Sequence, residues 1–82
     1  MTDFKTICEK ALSYSGQPCI NSIVKIKRGF LFGFCDNEGN DLYINPIFVS
    51  DNGRKTNVYF PPDHDDEVLY HIVIPEEYRS KQ

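Results

Sequence analysis

Three phenylalanines alternate with other residues between Phe30 and Phe34, and this alternation constrains the fold more than any other feature of the sequence. Successive side chains of a β-strand point to opposite faces, so Phe30, Phe32 and Phe34 lie on one face of a strand. Gly33 separates two of the rings and leaves the opposite face bare at that position. The segment therefore predicts a strand with one aromatic face.

Further strand-like runs lie on both sides of this one, and turn residues or prolines separate them. The predicted strands are 20–27, 30–36, 41–45, 57–60 and 67–74. Pro46 cannot donate a backbone hydrogen bond, so strand pairing is expected to end or to reach a sheet edge there. The run 47–49 that follows is expected to contribute to the core.

An amphipathic helix is predicted over residues 3–15, before the first strand. Its apolar residues recur at the spacing of one helical face: Phe4, Ile7, Cys8, Ala11 and Leu12. Thr2 or Asp3 can cap its first turn, and Gly16 is well placed to end it. Because so short a helix is marginal in water on its own, its apolar face must dock on another element.

The 82 residues are enough for one small domain. We expect a single domain over 1–82, with the helix at 3–15, a β-barrel at 20–75 and a polar, frayed tail at 76–82. One helix and five short strands predict a mainly β fold, a small five-stranded OB-like barrel with an added N-terminal helix. The alternative is a meander sheet packed on the helix.

The three cysteines, Cys8, Cys19 and Cys35, are an odd number without paired spacing and do not form a disulfide framework. We expect them to be buried, reduced thiols. The sequence has no apolar run near the ~20 residues that a membrane span requires, and no signal peptide is visible. These features predict a cytoplasmic protein.

Other chemistry is weakly indicated. The acidic stretch 63–67 contains His64, and His71 lies four residues beyond it, but the spacing matches no known metal loop. Nothing in the sequence places a cysteine and a histidine together as a nucleophile and its base, and there is no phosphate-cradling glycine loop. We expect no bound metal, no cofactor and no enzymatic activity.

The aromatic strand follows three basic residues, Lys25, Lys27 and Arg28. An exposed aromatic stripe beside basic residues is the arrangement that stacks and holds single-stranded nucleic acid. The same three phenylalanines could instead fill the core, because exposed phenylalanines are costly. Both interpretations remain open on the sequence, and the net charge of -3 argues only mildly against nucleic acid, because local charge decides a binding surface.

Three segments resemble the nucleic-acid-binding motifs of cold-shock domains. Phe32–Phe34 resembles the Gly-Phe-Gly-Phe core of the first motif, and Leu42–Asn45 resembles the second motif, usually Val-Phe-Val-His. Val24–Lys27 falls where the family has Val-Lys-Trp-Phe. The resemblance covers about a third of the chain, and it implies an OB-like barrel that binds single-stranded RNA or DNA.

Two functional hypotheses follow. In the first, the chain binds single-stranded RNA or DNA through stacking rings, basic residues that meet phosphates, and an amide that reads a base edge. The residues are Phe30, Phe32, Phe34 and Tyr43 for stacking, Lys25, Lys27 and Arg28 for phosphates, and Asn45 for the base. In the second, the chain is a small acidic protein-interaction module that regulates or inhibits a nucleic-acid-processing enzyme, through the acidic 63–67 loop or the N-terminal helix.

Overall fold

The computed structural model describes residues 3–42, 44–60 and 67–80. Within them, one helix is followed by five strands and a short 3₁₀ turn. The elements are α1 (Phe4–Ser15), β1 (Cys19–Ile26), β2 (Gly29–Cys35), β3 (Ile47–Ser50), β4 (Thr56–Val58), β5 (Val68–His71) and the 3₁₀ turn (Glu76–Tyr78).

The predicted helix is confirmed, and the residues at its two ends explain its bounds. The Thr6 backbone N–H donates to Asp3 Oδ1 at 2.9 Å, which caps the first turn and holds the pKa of Asp3 below its ordinary value. At the other end Gly16 adopts a φ of 72°, and its N–H donates to the Leu12 carbonyl. Only glycine adopts this left-handed conformation without strain, so the helix ends there.

The five strands form one antiparallel sheet in the order β4-β3-β2-β1-β5. β1 to β4 follow one another as a meander, and β5 returns to pair with β1. In the described part of the chain β4 and β5 are the two edges of this sheet. A mainly β fold with a five-stranded sheet and one N-terminal helix is therefore confirmed, whereas closure into an OB-like barrel stays a prediction.

The main core lies between α1 and one face of the sheet. Ile7, Cys8 and Ala11 of the predicted helical face are buried, as expected. They join the inward side chains of β1, β2 and β3 in a single cluster: Ile20, Ile23, Phe32, Phe34, Ile47 and Val49, together with Tyr78. The helix covers this face and removes its apolar surface from water, which is the main stabilisation of a fold this small.

A second, smaller cluster lies on the opposite face of the sheet. It contains Ile26, Phe48 and Tyr59, with Leu31 packed against them. Leu31 pairs with Phe48 across β2 and β3, and alternation places both side chains on the face that Phe30 and Phe32 do not use. Both faces of the sheet are thus partly covered.

The predicted third strand, 41–45, is wrong. Among its described residues, pairing with β2 is limited to an isolated bridge between Asp41 and Cys35 and the hydrogen bond from the Leu42 N–H to the Phe34 carbonyl. The third strand is instead Ile47–Ser50, which begins directly after Pro46. Its first three residues, two β-branched residues and a phenylalanine, are all buried, so the run 47–49, which was expected to contribute to the core, also pairs in the sheet.

The predicted frayed tail is also wrong over its described part. The 3₁₀ turn places Tyr78 in the main core with 8% of its surface exposed. Its hydroxyl lies 3.1 Å from Glu9 Oε2 and 3.5 Å from the Lys5 carbonyl. Lys5 and Glu77 form an exposed ion pair beside it at 3.7 Å. This segment therefore packs against the helix.

Candidate nucleic-acid interface

The phenylalanine stripe faces the core. Phe32 and Phe34 are 0% and 1% exposed, and Phe30 is half-buried with its ring 5.4 Å from the ring of Phe4. Alternation placed the three rings on one face correctly, but that face is the one that α1 covers. The prediction that these rings form an exposed stacking platform is wrong, because side chains this buried cannot reach a base.

Lys25 lies opposite Phe30 on the same face of the sheet, and its ammonium group already has partners within the protein. Its Nζ lies 5.2 Å from the centroid of Phe30, 3.0 Å from Asp51 Oδ1 and 2.5 Å from the Ile26 carbonyl, to which it donates. Its side chain is only 16% exposed. A phosphate would have to compete with the Asp51 carboxylate for this ammonium, so Lys25 is a poor first contact for nucleic acid.

Lys27 and Arg28 occupy the turn between β1 and β2, and both are exposed. The Arg28 guanidinium carbon lies 4.7 Å from the centroid of Phe48, which is close enough for a cation–π contact. Phe48 belongs to the second, smaller core cluster. The Arg28 guanidinium is therefore positioned beside a buried aromatic ring.

A basic cavity of about 350 Å³ opens at this end of the sheet. We call it the basic cavity, and it is lined by Arg28, Phe48, Ser50, Asn52, Arg54 and Lys55. Three of the six residues are cations, although the whole chain carries a net charge of -3. Two of these cations, Arg54 and Lys55, were not among the residues that the sequence predicts for the site.

Side-chain hydrogen bonds fix the turn between β3 and β4 that supplies most of this lining. Asn52 Oδ1 accepts from Ser50 Oγ at 2.8 Å and from the Arg54 backbone N–H at 2.9 Å. The Lys55 backbone N–H donates to Ser50 Oγ at 3.0 Å. Since the backbone of both cationic residues is held by these bonds, their charges are presented from a defined turn and not from a loose loop.

Close packing of two strands brings Arg28 to that turn. Gly29 pairs with Ser50, and a Cβ on Gly29 would collide with the Val49 carbonyl oxygen. Only glycine permits this approach. The Asp51 backbone N–H then donates to the Arg28 carbonyl at 3.3 Å and joins the two turns. In the sequence, Gly29 directly after Arg28 indicates a close backbone approach, but it does not identify β3 as the strand that approaches.

The local charge of the basic cavity is positive. Asp51, next to its lining residues, forms an ion pair with Lys25 at 3.0 Å. Arg54 and Lys55 are exposed at the rim. Cations around a concave, partly apolar surface concentrate the positive potential there, since field lines are focused where water is excluded. Such a surface can hold phosphate oxygens.

Asn45, another predicted site residue, does not line this surface. Asn45 is exposed and lines a different cavity, of about 330 Å³, with residues of the helix C-terminus such as Tyr14. Ile47 lines that cavity and Ser50 lines the basic cavity, so the two cavities lie at opposite ends of β3. Tyr43 and the acidic residues 63–66 lie outside the described residues, and the prediction of an acidic partner-binding loop is untested.

Comparison with protein-family models, curated proteins and solved structures found no match. The resemblance to cold-shock domains therefore stays a prediction from the motifs. Among the residues that the structure describes, no helix is long and apolar enough to cross a lipid bilayer. Across the same residues, no three histidine, cysteine or acidic side chains lie together as a metal ion would require.

Proposed function

We propose that this chain is a single-stranded nucleic-acid-binding module whose interface is the basic cavity. One observation carries the proposal: Arg28, Arg54 and Lys55 converge on one concave surface of an otherwise acidic protein. The predicted function is thus kept, while its interface moves from the phenylalanine stripe to the turn end of the sheet. A partly open OB-like barrel and a cytoplasmic location belong to the same proposal.

The cations provide the contacts to phosphate. Each Lys or Arg that neutralises a phosphate releases a condensed counterion. The logarithm of the single-strand affinity therefore falls with the logarithm of the salt concentration, with a slope of about 0.7 per contact. Arg54 and Lys55 follow each other in a turn that Asn52 and Ser50 hold rigid. Lys27, exposed next to Arg28, extends the positive surface along the β1–β2 turn.

Arg28 provides the contact to a base. Guanidinium planes stack on unpaired bases as aromatic rings do. The guanidinium carbon of Arg28 lies 4.7 Å from the centroid of the Phe48 ring. A base on the outer face of Arg28 would complete a stack of ring, guanidinium and base, an arrangement worth ~1–3 kcal/mol per base. In this proposal Phe48 is the aromatic residue of the stack, in place of the four residues predicted from the sequence, Phe30, Phe32, Phe34 and Tyr43.

The proposal is tested by fluorescence anisotropy with short labelled RNA and DNA single strands at several salt concentrations. Arg54→Ala and Lys55→Ala should each weaken binding and lower the salt slope by about 0.7. Arg28→Lys keeps the charge but loses the planar stack, so affinity should fall by ~1 kcal/mol or more at an unchanged slope. Lys10→Ala on the exposed side of α1 is the matched control and should change neither quantity.

Absence of binding even at low salt would contradict the proposal, as would equal losses in Lys10→Ala and Arg54→Ala. The second candidate function, a protein-interaction module, would then be favoured by a different observation. The edge strand β5 leaves large apolar side chains 47%, 52% and 56% exposed at Val68, Leu69 and Tyr70. Exposed edge strands are sites where a partner adds a strand. Leu69→Lys should disrupt binding of a partner at β5, whereas Arg54→Ala, outside that edge, should leave it intact.

A further inference from the structure

Cys19 and Cys35 lie directly opposite each other in the sheet. They are the last register pair of β1 and β2, at the end of the hairpin remote from the Arg28 turn. Both are free thiols and nearly buried, at 6% and 3% exposed. The sequence separates them by sixteen positions and gave no reason to pair them.

The pairing places the two residues within disulfide range. Directly opposed residues of antiparallel strands have Cα atoms about 4.5 or 5.5 Å apart, and disulfides form between Cα atoms about 4.4–6.8 Å apart. Burial raises the pKa of the Cys35 thiol, and the adjacent Cys19 thiol raises it further, as expected for two thiols in contact. Cys19 Sγ also lies 3.7 Å from Asn37 Oδ1 and donates a hydrogen bond to it.

We propose that Cys19 and Cys35 form a reversible oxidation site, with a low-molecular-weight disulfide such as oxidised glutathione as the oxidant. One cysteine, as its thiolate, attacks the small disulfide, whose S–S bond breaks and releases one small thiol. The second cysteine thiolate then attacks the resulting mixed disulfide and releases the other small thiol. Two protein S–H groups are oxidised, one small disulfide is reduced to two thiols, and the protons end on those thiols.

Cys8 takes no part in this chemistry. It is 0% exposed on the inner face of α1, and burial, aided by Glu77 and Glu9, raises its pKa to about 11. Thiolate is the reactive form and the oxidant must reach it, so this fully buried thiol reacts more slowly than Cys19 and Cys35. Nor does it pair with either of the other cysteines in the sheet register. Oxidation should therefore leave one of the three thiols free.

Closing the pair links the two ends of the β1–β2 hairpin. The cross-link restricts the unfolded chain over a loop of fifteen or so residues, which should raise Tm by roughly 10–20 °C when the native geometry accepts the bond without strain. Because Cys19 and Cys35 already face each other, little backbone movement is needed. The turn that carries Arg28 lies at the far end of the hairpin and is not part of the cross-link.

The test treats the fully reduced, full-length protein with oxidised glutathione at mildly alkaline pH. We expect intact mass to fall by two hydrogen atoms and the free thiols to fall from three to one. Trypsin cleaves between the two cysteines, at Lys25, Lys27 and Arg28, so the disulfide should join two separate peptides. The Cys8→Ala variant should lose both of its thiols in the same way, and dithiothreitol should reverse the change.

The Cys35→Ser variant is the matched control, since it cannot complete the second exchange. It should stop at a stable glutathione adduct on Cys19 or remain unmodified. The proposal is overturned if the wild-type protein accumulates the same adduct, if Cys8 appears in the cross-link, or if the only disulfide joins two chains.

Discussion

At the scale of single residues, Phe32 and Phe34 show what alternation can and cannot determine. The period of two correctly placed them on one face, but it does not say which face of the sheet is buried. That depends on where α1 docks, which is a long-range contact. Burying the two rings removes far more apolar surface from water than burying Leu31 and Gly33 of the same strand would. The helix accordingly covers the aromatic face.

Truncation of Phe32 tests this assignment. Phe32→Ala should lower the free energy of unfolding by ~3–5 kcal/mol, because it removes a fully buried ring and leaves a cavity in the main core. Urea denaturation followed by circular dichroism measures the change. Phe60→Ala, at a phenylalanine that is 51% exposed, is the control and should cost less than ~1 kcal/mol. Equal losses in the two variants would mean that the aromatic face is not the core.

At the scale of elements, local chemistry predicted α1 well and the third strand poorly. The helix is specified by nearby residues, with Asp3 and Gly16 at its ends and a 3.6-residue apolar period between them. The segment 41–45 has alternating apolar residues too, but it lies near strand-disfavouring Asp and Asn residues and follows the Asp36 turn. The Asp36 carboxylate accepts hydrogen bonds from the backbone of Glu38 and Asn40, which fixes that turn and lowers the pKa of Asp36.

The docking of α1 has its own test at Ile7, which is 2% exposed on the helix face that meets the sheet. Ile7→Asp places an unpaired carboxylate in the main core, and we expect a loss of several kcal/mol or a failure to fold cooperatively. Thr6→Asp makes the same change of charge one residue earlier, at an exposed position near the helix N-terminus. That variant should be nearly neutral, and a similar loss in both would show that charge and not burial is responsible.

At the scale of the whole molecule, the features that the sequence did not predict all join distant segments. The basic cavity needs the β1–β2 turn and the β3–β4 turn to meet, which depends on the register of Gly29 against Ser50. The packing of Tyr78 needs the end of the described chain to return to α1. No local pattern encodes either contact, because each follows from the assembled sheet. From the sequence alone, the lining of the basic cavity therefore looks like ordinary turns, and the segment around Tyr78 looks like a frayed tail.

Substitution of Tyr78 measures the second of these contacts. Tyr78→Ala should destabilise by ~3–5 kcal/mol through the lost ring. Tyr78→Phe removes only the hydroxyl, which lies 3.1 Å from Glu9 Oε2, and should cost ~1–2 kcal/mol. Thermal melts of both variants give the values. Tyr14→Ala, at a tyrosine that is 51% exposed, should change Tm little. If Tyr78→Ala also left Tm unchanged, the segment 76–80 would not be part of the fold.

The contact of Tyr78 with α1 has a consequence for when this chain can fold. Tyr78 lies 73 residues after Lys5 and 69 after Glu9, so α1 is synthesised well before the residue that packs against it. At about 5–20 residues per second, translation leaves the helix without this partner for several seconds. The part of α1 that Tyr78 covers has no partner during that time. We therefore expect α1 to reach its native packing only after the segment that contains Tyr78 has been synthesised.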